Sequence, residues 1–435
     1  MKHPFSNFKY GIRFYLGCSM CPLKINKYVH MKKLYIIFFT LAVFGASNAQ
    51  QLDVLIDEAL ANNPEIQTFE LKYQVAKEKV NEANTLPNTQ LGVGYFVSEP
   101  ETRTGPQRFK ISAKQMLPSF GAITARENYR EALADAVYED ITIVKRKLVA
   151  SVSQSYYNLY AIKEQQIVVV ENIELLKTFE ELALTSVEVG KASAVDVLRL
   201  QMRQNELNQL KLILEQNYLA ELTTFNKLLN RDKSTEVIVA NTLVMPTEGE
   251  LINWDNLALH PELLKYDKLY TSVEQSELLN QKEQNPMLGF GLDYIAVSER
   301  PNMDFSDNGK DIFMPMVNVS IPIFNNKYKS KSKQNELKQK EILTQKENRL
   351  NTLETLLDKA VKSSNSARIS YDTQTKNLKQ AKDAETILVK SYETGTINFN
   401  DVLDIQELQL KFQTKQIESI KNYYIQRTII NYLTT

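Results

Sequence analysis

Leu91-Gly92-Val93-Gly94-Tyr95 and, about two hundred residues further on, Leu288-Gly289-Phe290-Gly291-Leu292 are one pattern written twice. In both, large apolar side chains alternate with glycine, the period of a strand with one apolar face and one nearly bare face. Each has a companion of the same kind. Phe109, Ile111 and Ala113 alternate with Arg108, Lys110, Ser112 and Lys114, and Val317, Val319 and Ile321 alternate with Asn318 and Ser320. The connections Glu99 to Gln107 and Ser298 to Asp311 are polar and contain Gly and Pro, as hairpin loops do. Runs of about ten residues match the length of a tilted membrane-spanning strand, although a soluble hairpin with a half-buried face reads the same way.

The duplication extends outward from these strands. Asn63-Pro64-Glu65 returns as His260-Pro261-Glu262, and Leu86-Pro87 returns as Asn285-Pro286. Leu117-Pro118-Ser119-Phe120 returns as Ile321-Pro322-Ile323-Phe324. Val189-Gly190 with Asp196-Val197-Leu198 returns as Thr394-Gly395 with Asp401-Val402-Leu403. The order is kept, so the chain divides into tandem halves, 50–245 and 246–435, with strand pairs near 90–117 and 287–323 and turns near 190 and 395.

Between these landmarks the breakers vanish. No Gly or Pro lies between Gly121 and Gly190, between Gly190 and Pro246, between Pro322 and Gly395, or after Gly395. Those stretches are rich in Glu, Lys, Gln, Leu and Ala, so they predict helices far longer than globular ones. Leu343, Leu350, Leu353, Leu357, Ala360 and Ile369 step by three, four, seven or a near multiple, a narrow coiled-coil-like stripe. The expected fold is mostly α with a membrane β portion: long helical hairpins and four strands per chain.

Charge and chemistry exclude several classes. Among 435 residues, 52 basic side chains balance 52 acidic ones, which gives a phosphate backbone nothing to hold and argues against a nucleic-acid partner. Lys32 and Lys33, the apolar run Leu34 to Phe44 and the small residues Ser47-Asn48-Ala49 read as a secretory signal, 31–49, starting at Met31 and cleaved after Ala49. Residues 1–30 then fall outside the mature protein, and with them goes the Cys18/Cys21 pair. One histidine, His260, is left, at a helix start where its repeat counterpart is Asn63, so capping explains it better than ligation. No phosphate loop or nucleophile arrangement appears, so no enzyme activity, cofactor or metal site is expected. Met287, Met303, Met314 and Met316 read as packing rather than as soft-metal ligands.

Four strands cannot cross a bilayer by themselves. Each unpaired edge group in lipid costs several kcal/mol, and closed barrels begin near eight strands. If the strands span the membrane, several copies must share one barrel.

The arrangement resembles the TolC or outer-membrane efflux protein family over nearly all of the mature chain. Leu52-Asp53-Val54-Leu55-Ile56-Asp57-Glu58-Ala59-Leu60-Ala61-Asn62-Asn63-Pro64-Glu65 resembles the family's opening helix. The stretches from Gly190 to Leu198 and from Tyr392 to Asp404 resemble its paired hairpin tips. The resemblance implies a homotrimer with a twelve-stranded barrel in outer-membrane lipid and a helical tunnel in the periplasm. It also implies docking through the tips, Gly190 and Gly395, to a periplasmic adaptor and an inner-membrane pump of the resistance-nodulation-division type. Asp401 and Asp404 match acidic residues that narrow the periplasmic entrance; three apart on a helix, they share a face. A solvated pair favouring the helix dipole reads the same residues more plainly. Tyr392 and Asp196 match other members of the closing network, whereas Ile397 stands where a basic residue is expected. Arg108, Lys110 and Lys114 would line the barrel lumen, or be surface charges if the hairpin were soluble. The nearest branch is that paired with heavy-metal or multidrug pumps, although no cysteine follows the cleavage site to carry a lipid anchor. The runner-up is a periplasmic coiled-coil adaptor, which usually carries one hairpin rather than two; a purely structural coiled coil leaves the strands unexplained.

The signal reading predicts that the exported protein starts at Gln50, which mass spectrometry of its N-terminal peptide checks.

Overall fold

Glycine and proline bound the helices and otherwise fall within the strands and loops. The computed structural model describes residues 47–435 apart from 192, 241, 248–252 and 324. The segment 1–30 with its cysteine pair, and signal-peptide residues 31–46, lie outside the described residues. The order is α1 (Ser47–Asn62), α2 (Pro64–Ala83), β1 (Gln90–Tyr95), β2 (Glu101–Thr102), β3 (Gly105–Leu117), α3 (Ala122–Glu188) and α4 (Ala194–Leu228). A 3-10 turn (Trp254–Leu259) opens the second half, followed by α5 (Pro261–Glu283), β4 (Met287–Val297), β5 (Ile312–Ser320), α6 (Lys327–Glu393) and α7 (Phe399–Thr434).

The two halves repeat one plan at nearly one length. α3 and α6 have 67 residues each, and their return helices α4 and α7 have 35 and 36. At 1.5 Å per residue each long helix runs about 100 Å. α3 packs against α4, and α6 against α7, as antiparallel hairpins; α5 lies against both α3 and α6, and α3 joins the second hairpin along α7. As in other proteins, most of the stability of these helices comes from packing of the apolar seam rather than from intrinsic propensity.

Apolar clusters fill the seams. Near the turns, Ile173, Leu176 and Phe179 of α3 meet Val197 and Leu200 of α4, Tyr392 of α6, and Phe399 and Val402 of α7. Farther up, Leu353, Leu357 and Ala360 of α6 pack with Leu257, Leu263, Ile430 and Leu433. Only part of the expected α6 stripe is buried. Leu353, Leu357 and Ala360 are closed off, whereas Leu343 and Ile369 are 52% and 68% exposed. A straight α-helix drifts against a seven-residue repeat, so one stripe over this length cannot face a single neighbour throughout.

A buried polar knot ties the 3-10 turn to the C-terminal helix. His260, 1% exposed, caps α5 by accepting the Glu262 N–H at Nδ1, and its ring meets Tyr432 edge-on at 5.1 Å. Burial pushes the imidazole from 6.5 down to about 4, against the pull of the Glu262 carboxylate. Burial also works to raise the Glu262 carboxyl, but hydrogen bonds from Arg349 and Tyr432 outweigh it and hold it below its usual value. An imidazole that stays neutral when folded but charges when unfolded contributes its full stability above pH 6.5. That contribution, roughly 3 kcal/mol, fades as the pH falls toward 4. His260→Asn, which keeps a cap as Asn63 does in the first half, should therefore lose less melting temperature than the parent between pH 7 and pH 4.5, as thermal unfolding of the purified protein measures.

Candidate functional site: the sheet and the hairpin tips

The four long strands form one antiparallel sheet in the order β1-β3-β4-β5, with the two-residue β2 folded onto the loop end of β3. The register sorts the side chains into two unlike faces. Leu91, Val93 and Tyr95 sit beside Ala113, Ile111 and Phe109, these beside Leu292, Tyr294 and Ala296. Leu292 and Tyr294 in turn face Pro315 and Phe313 of β5. This apolar face is open: Leu91, Val93 and Tyr95 are 71–81% exposed, and Phe313 and Val317 both 67%. The opposite face carries Gly92 and Gly94, Lys110, Ser112 and Lys114, Gly289, Gly291 and Asp293, then Met314, Met316 and Asn318.

The expected basic residues divide. Lys110 and Lys114 lie on that polar face, and Lys110 Nζ forms an ion pair with the fully buried carboxylate of Asp293. Arg108 sits at a register irregularity near the loop end, 3.8 Å from Glu99. The bare glycines let long side chains lie across β4, and a Cβ at Gly289 would collide with Met116 Sδ. Met314 and Met316 therefore stand on the polar face, whereas Met303 is in the loop. The importance of Asp293 was not legible beforehand, because an acid among glycines in a strand carries no motif.

At the far end from these glycines, the two loops interlock. Arg103 pairs with Asp307 at 2.8 Å, Arg300 with Glu101 at 2.9 Å, and Gly309 N–H donates to the Thr104 carbonyl at 2.8 Å. The first loop is more ordered than its composition suggests, because Gly105, at φ 136°, brings its backbone against Ser298.

Both hairpin tips turn on one device. Gly190 N–H donates to the Val187 carbonyl and Lys191 N–H to Ser186; Gly395 N–H donates to Tyr392 and Thr396 N–H to Ser391. These are Schellman closures, and φ of 73° and 75° explains why glycine stands at each. Asp196 lies in the capping box at the start of α4, with Ser193. Tyr392 is 5% exposed, its ring 4.8 Å from Phe399, so it lies in the core of the tips. Asp401 and Asp404 are both exposed and flank the buried Val402. One contact was missed from sequence: Arg199 of α4 donates to Asn400 Oδ1 of α7 and lies 4.0 Å from Asp196, linking the two tips. Nothing in the linear spacing pairs residues two hundred apart.

Among the described residues no group of three or more His, Cys, Asp or Glu could hold a metal ion, and no helix is long and apolar enough to cross a membrane.

An open sheet with an exposed apolar face, set on two long helical hairpins, is a TolC-like fold. Residues 55–231 match the family described as outer membrane efflux protein. No curated protein sequence matches the chain. Among solved structures, it resembles CusC, described in connection with transmembrane channel formation, with a TM-score of 0.73 at 15% identity over 88% of this chain and 92% of that one. VceC of Vibrio cholerae matches with a TM-score of 0.71 at 15% identity over 89% and 97%, and the open-state MtrE channel of Neisseria gonorrhoeae with 0.70 at 14% over 88% of each. The shared feature is the fold, and an efflux duct is what that fold and family support.

Gly105→Ala would drive a Cβ into the Ser298 carbonyl from a left-handed φ, costing about 1–3 kcal/mol locally. The expected result is faster limited proteolysis within 99–107 and 298–311, with the helical core equally resistant.

Proposed function

We propose that three copies of this chain close one barrel, four long strands from each, and form the passive exit duct of a tripartite efflux pump. The observation that carries this is the open apolar face on a sheet whose two edge strands, β1 and β5, have no partner on their outer sides among the described residues. In lipid such edges cost several kcal/mol per unpaired group, and pairing β5 of one copy with β1 of the next removes that cost. The polar face then lines the lumen, with Lys110, Lys114 and, at its mouth, Arg108. The exposed parts of the α6 stripe, Leu343 and Ile369, meet neighbouring copies in a helical tunnel.

The tips form the periplasmic entrance. Asp401 and Asp404, exposed on one face of α7, would present six carboxylates from three copies around the aperture and attract cations there. Tyr392 and Asp196 act from within each tip, one by packing and one by capping, and Arg199 with Asn400 fastens the first hairpin to the second. The turns at Gly190 and Gly395 meet a periplasmic adaptor, behind which an inner-membrane pump of the resistance-nodulation-division type supplies the energy. The cargo is small molecules, drugs or metal cations, and the protein performs no chemistry on it. Export begins with cleavage near Ala49, and the halves 50–245 and 246–435 act as two equivalent repeats.

The adaptor reading fits less well, because the sheet is continuous across both halves and each half carries a hairpin. Native mass spectrometry of the membrane-extracted protein should give a trimer, and planar bilayers should give discrete channels. Asp401→Ala with Asp404→Ala should change conductance and weaken block by divalent cations; unchanged values would rule out the acidic ring. Arg199→Ala should raise the open fraction of the channel while leaving cation block in place.

A further inference from the structure

The sheet's apolar face does not stop where its strands do. Ile321 and Ile323 follow β5 in the same alternation as Val317 and Val319, and they are 55% and 71% exposed. At the matching point of the first half, Phe120 is 97% exposed, an aromatic ring with almost nothing of its own chain around it. These three side chains extend the exposed apolar surface beyond the ends of β3 and β5.

Immediately beyond comes a run of positive charge. Lys327, Lys329, Lys331 and Lys333 occupy alternate positions at the start of α6, and no Asp or Glu occurs between Asp311 and Glu336. Glu336 takes Lys333 at 2.6 Å. Lys327, Lys329 and Lys331 form no ion pair among the described residues; Lys327 lies 5.6 Å from the Tyr328 ring.

This is a poor way to begin a helix in water. Lys327 and Lys331 are four apart, as are Lys329 and Lys333, and like charges at that spacing repel. They also sit at the positive end of the helix dipole. α2, α4, α5 and α7 each carry an acid in the first turn, but α6, like α3, has none, and its cap residue Asn326 makes no side-chain bond. The backbone gains one local bond, from Lys327 N–H to Asn325 Oδ1 at 2.9 Å. An anionic layer outside the protein would turn each of these penalties into a gain.

We propose that Lys327, Lys329 and Lys331 form a basic collar that binds the phosphate headgroups of anionic phospholipids in the periplasmic leaflet, with Phe120, Ile321 and Ile323 seated in the acyl boundary just above. The proposal rests on the barrel reading. The dimensions agree: a headgroup layer is about 5–8 Å deep on each side of the hydrocarbon, and Lys327 to Lys331 covers about 6 Å of helix axis. Lysine stems can lie along apolar surface while the ammonium groups reach the phosphates. A bilayer is favoured over an acidic protein because the charges begin four residues after the exposed Ile323, at the end of that apolar band.

The test uses the assembled full-length protein in bilayer discs of phosphatidylcholine mixed with phosphatidylglycerol, with retained lipid read by native mass spectrometry and conductance read in planar bilayers. The parent should retain phosphatidylglycerol preferentially. K327Q/K329Q/K331Q should lose that preference by roughly fivefold for each lysine removed, while conducting normally. K376Q/K379Q/K382Q, which removes equal charge from exposed positions far down α6, should retain the preference. An unchanged preference in the first variant, an equal loss in the second, or complete displacement of the lipid by free inorganic phosphate would overturn the collar while leaving the channel intact. If no version inserts or conducts, the barrel reading itself fails and the collar falls with it.

Discussion

A backbone N–H or C=O in hydrocarbon has no water to turn to, and a four-stranded sheet always has two rows of them on its edges. That constraint organises the rest of this protein. The apolar face formed by Leu91, Val93, Tyr95, Phe313 and Val317 is useless in water and suited to lipid, but it cannot enter lipid until β1 and β5 find partners. A barrel closed by several copies satisfies both demands at once. The halves have helices of equal length because each must present its strand pair at the same level and its tip at the same depth.

The helical part follows the same logic with different forces. In the seams, Leu353 and Leu357 are fully buried within the chain, whereas Leu343 and Ile369 of the same helix remain exposed. A helix about 100 Å long drifts against a seven-residue repeat, so one apolar stripe does not stay against a single neighbouring helix over its whole length. Near the tips, one aromatic cluster of Phe179, Tyr392 and Phe399 holds the two hairpins together, and the Arg199–Asn400 contact adds a polar link beside it.

The polar face of the sheet shows how little side-chain chemistry a conduit needs. Glycines at positions 92, 94, 289 and 291 leave room, Lys110 and Asp293 neutralise each other, and the methionines cover the bare backbone of β4. The buried knot of His260, Glu262, Arg349 and Tyr432 does structural work instead, tying the second half's entry turn to α7.

Much of this was legible in the linear chain because it depends on short periods. Alternation of Leu91-Gly92-Val93-Gly94 assigns the two faces of a strand whatever its neighbours are, and the lack of Gly and Pro between Gly121 and Gly190 allows little but helix. The left-handed turns at Gly190 and Gly395 were readable for the same reason, since their hydrogen bonds close within six residues. Contacts across the duplication were not. That Asp293 would meet Lys110, that Arg199 would reach Asn400, and that Phe179 would pack on Phe399 depend on inter-strand register and on how the hairpins lie together. Local propensity determined the elements; only the tertiary structure, through pairings between residues far apart in the chain, decided which side chains meet.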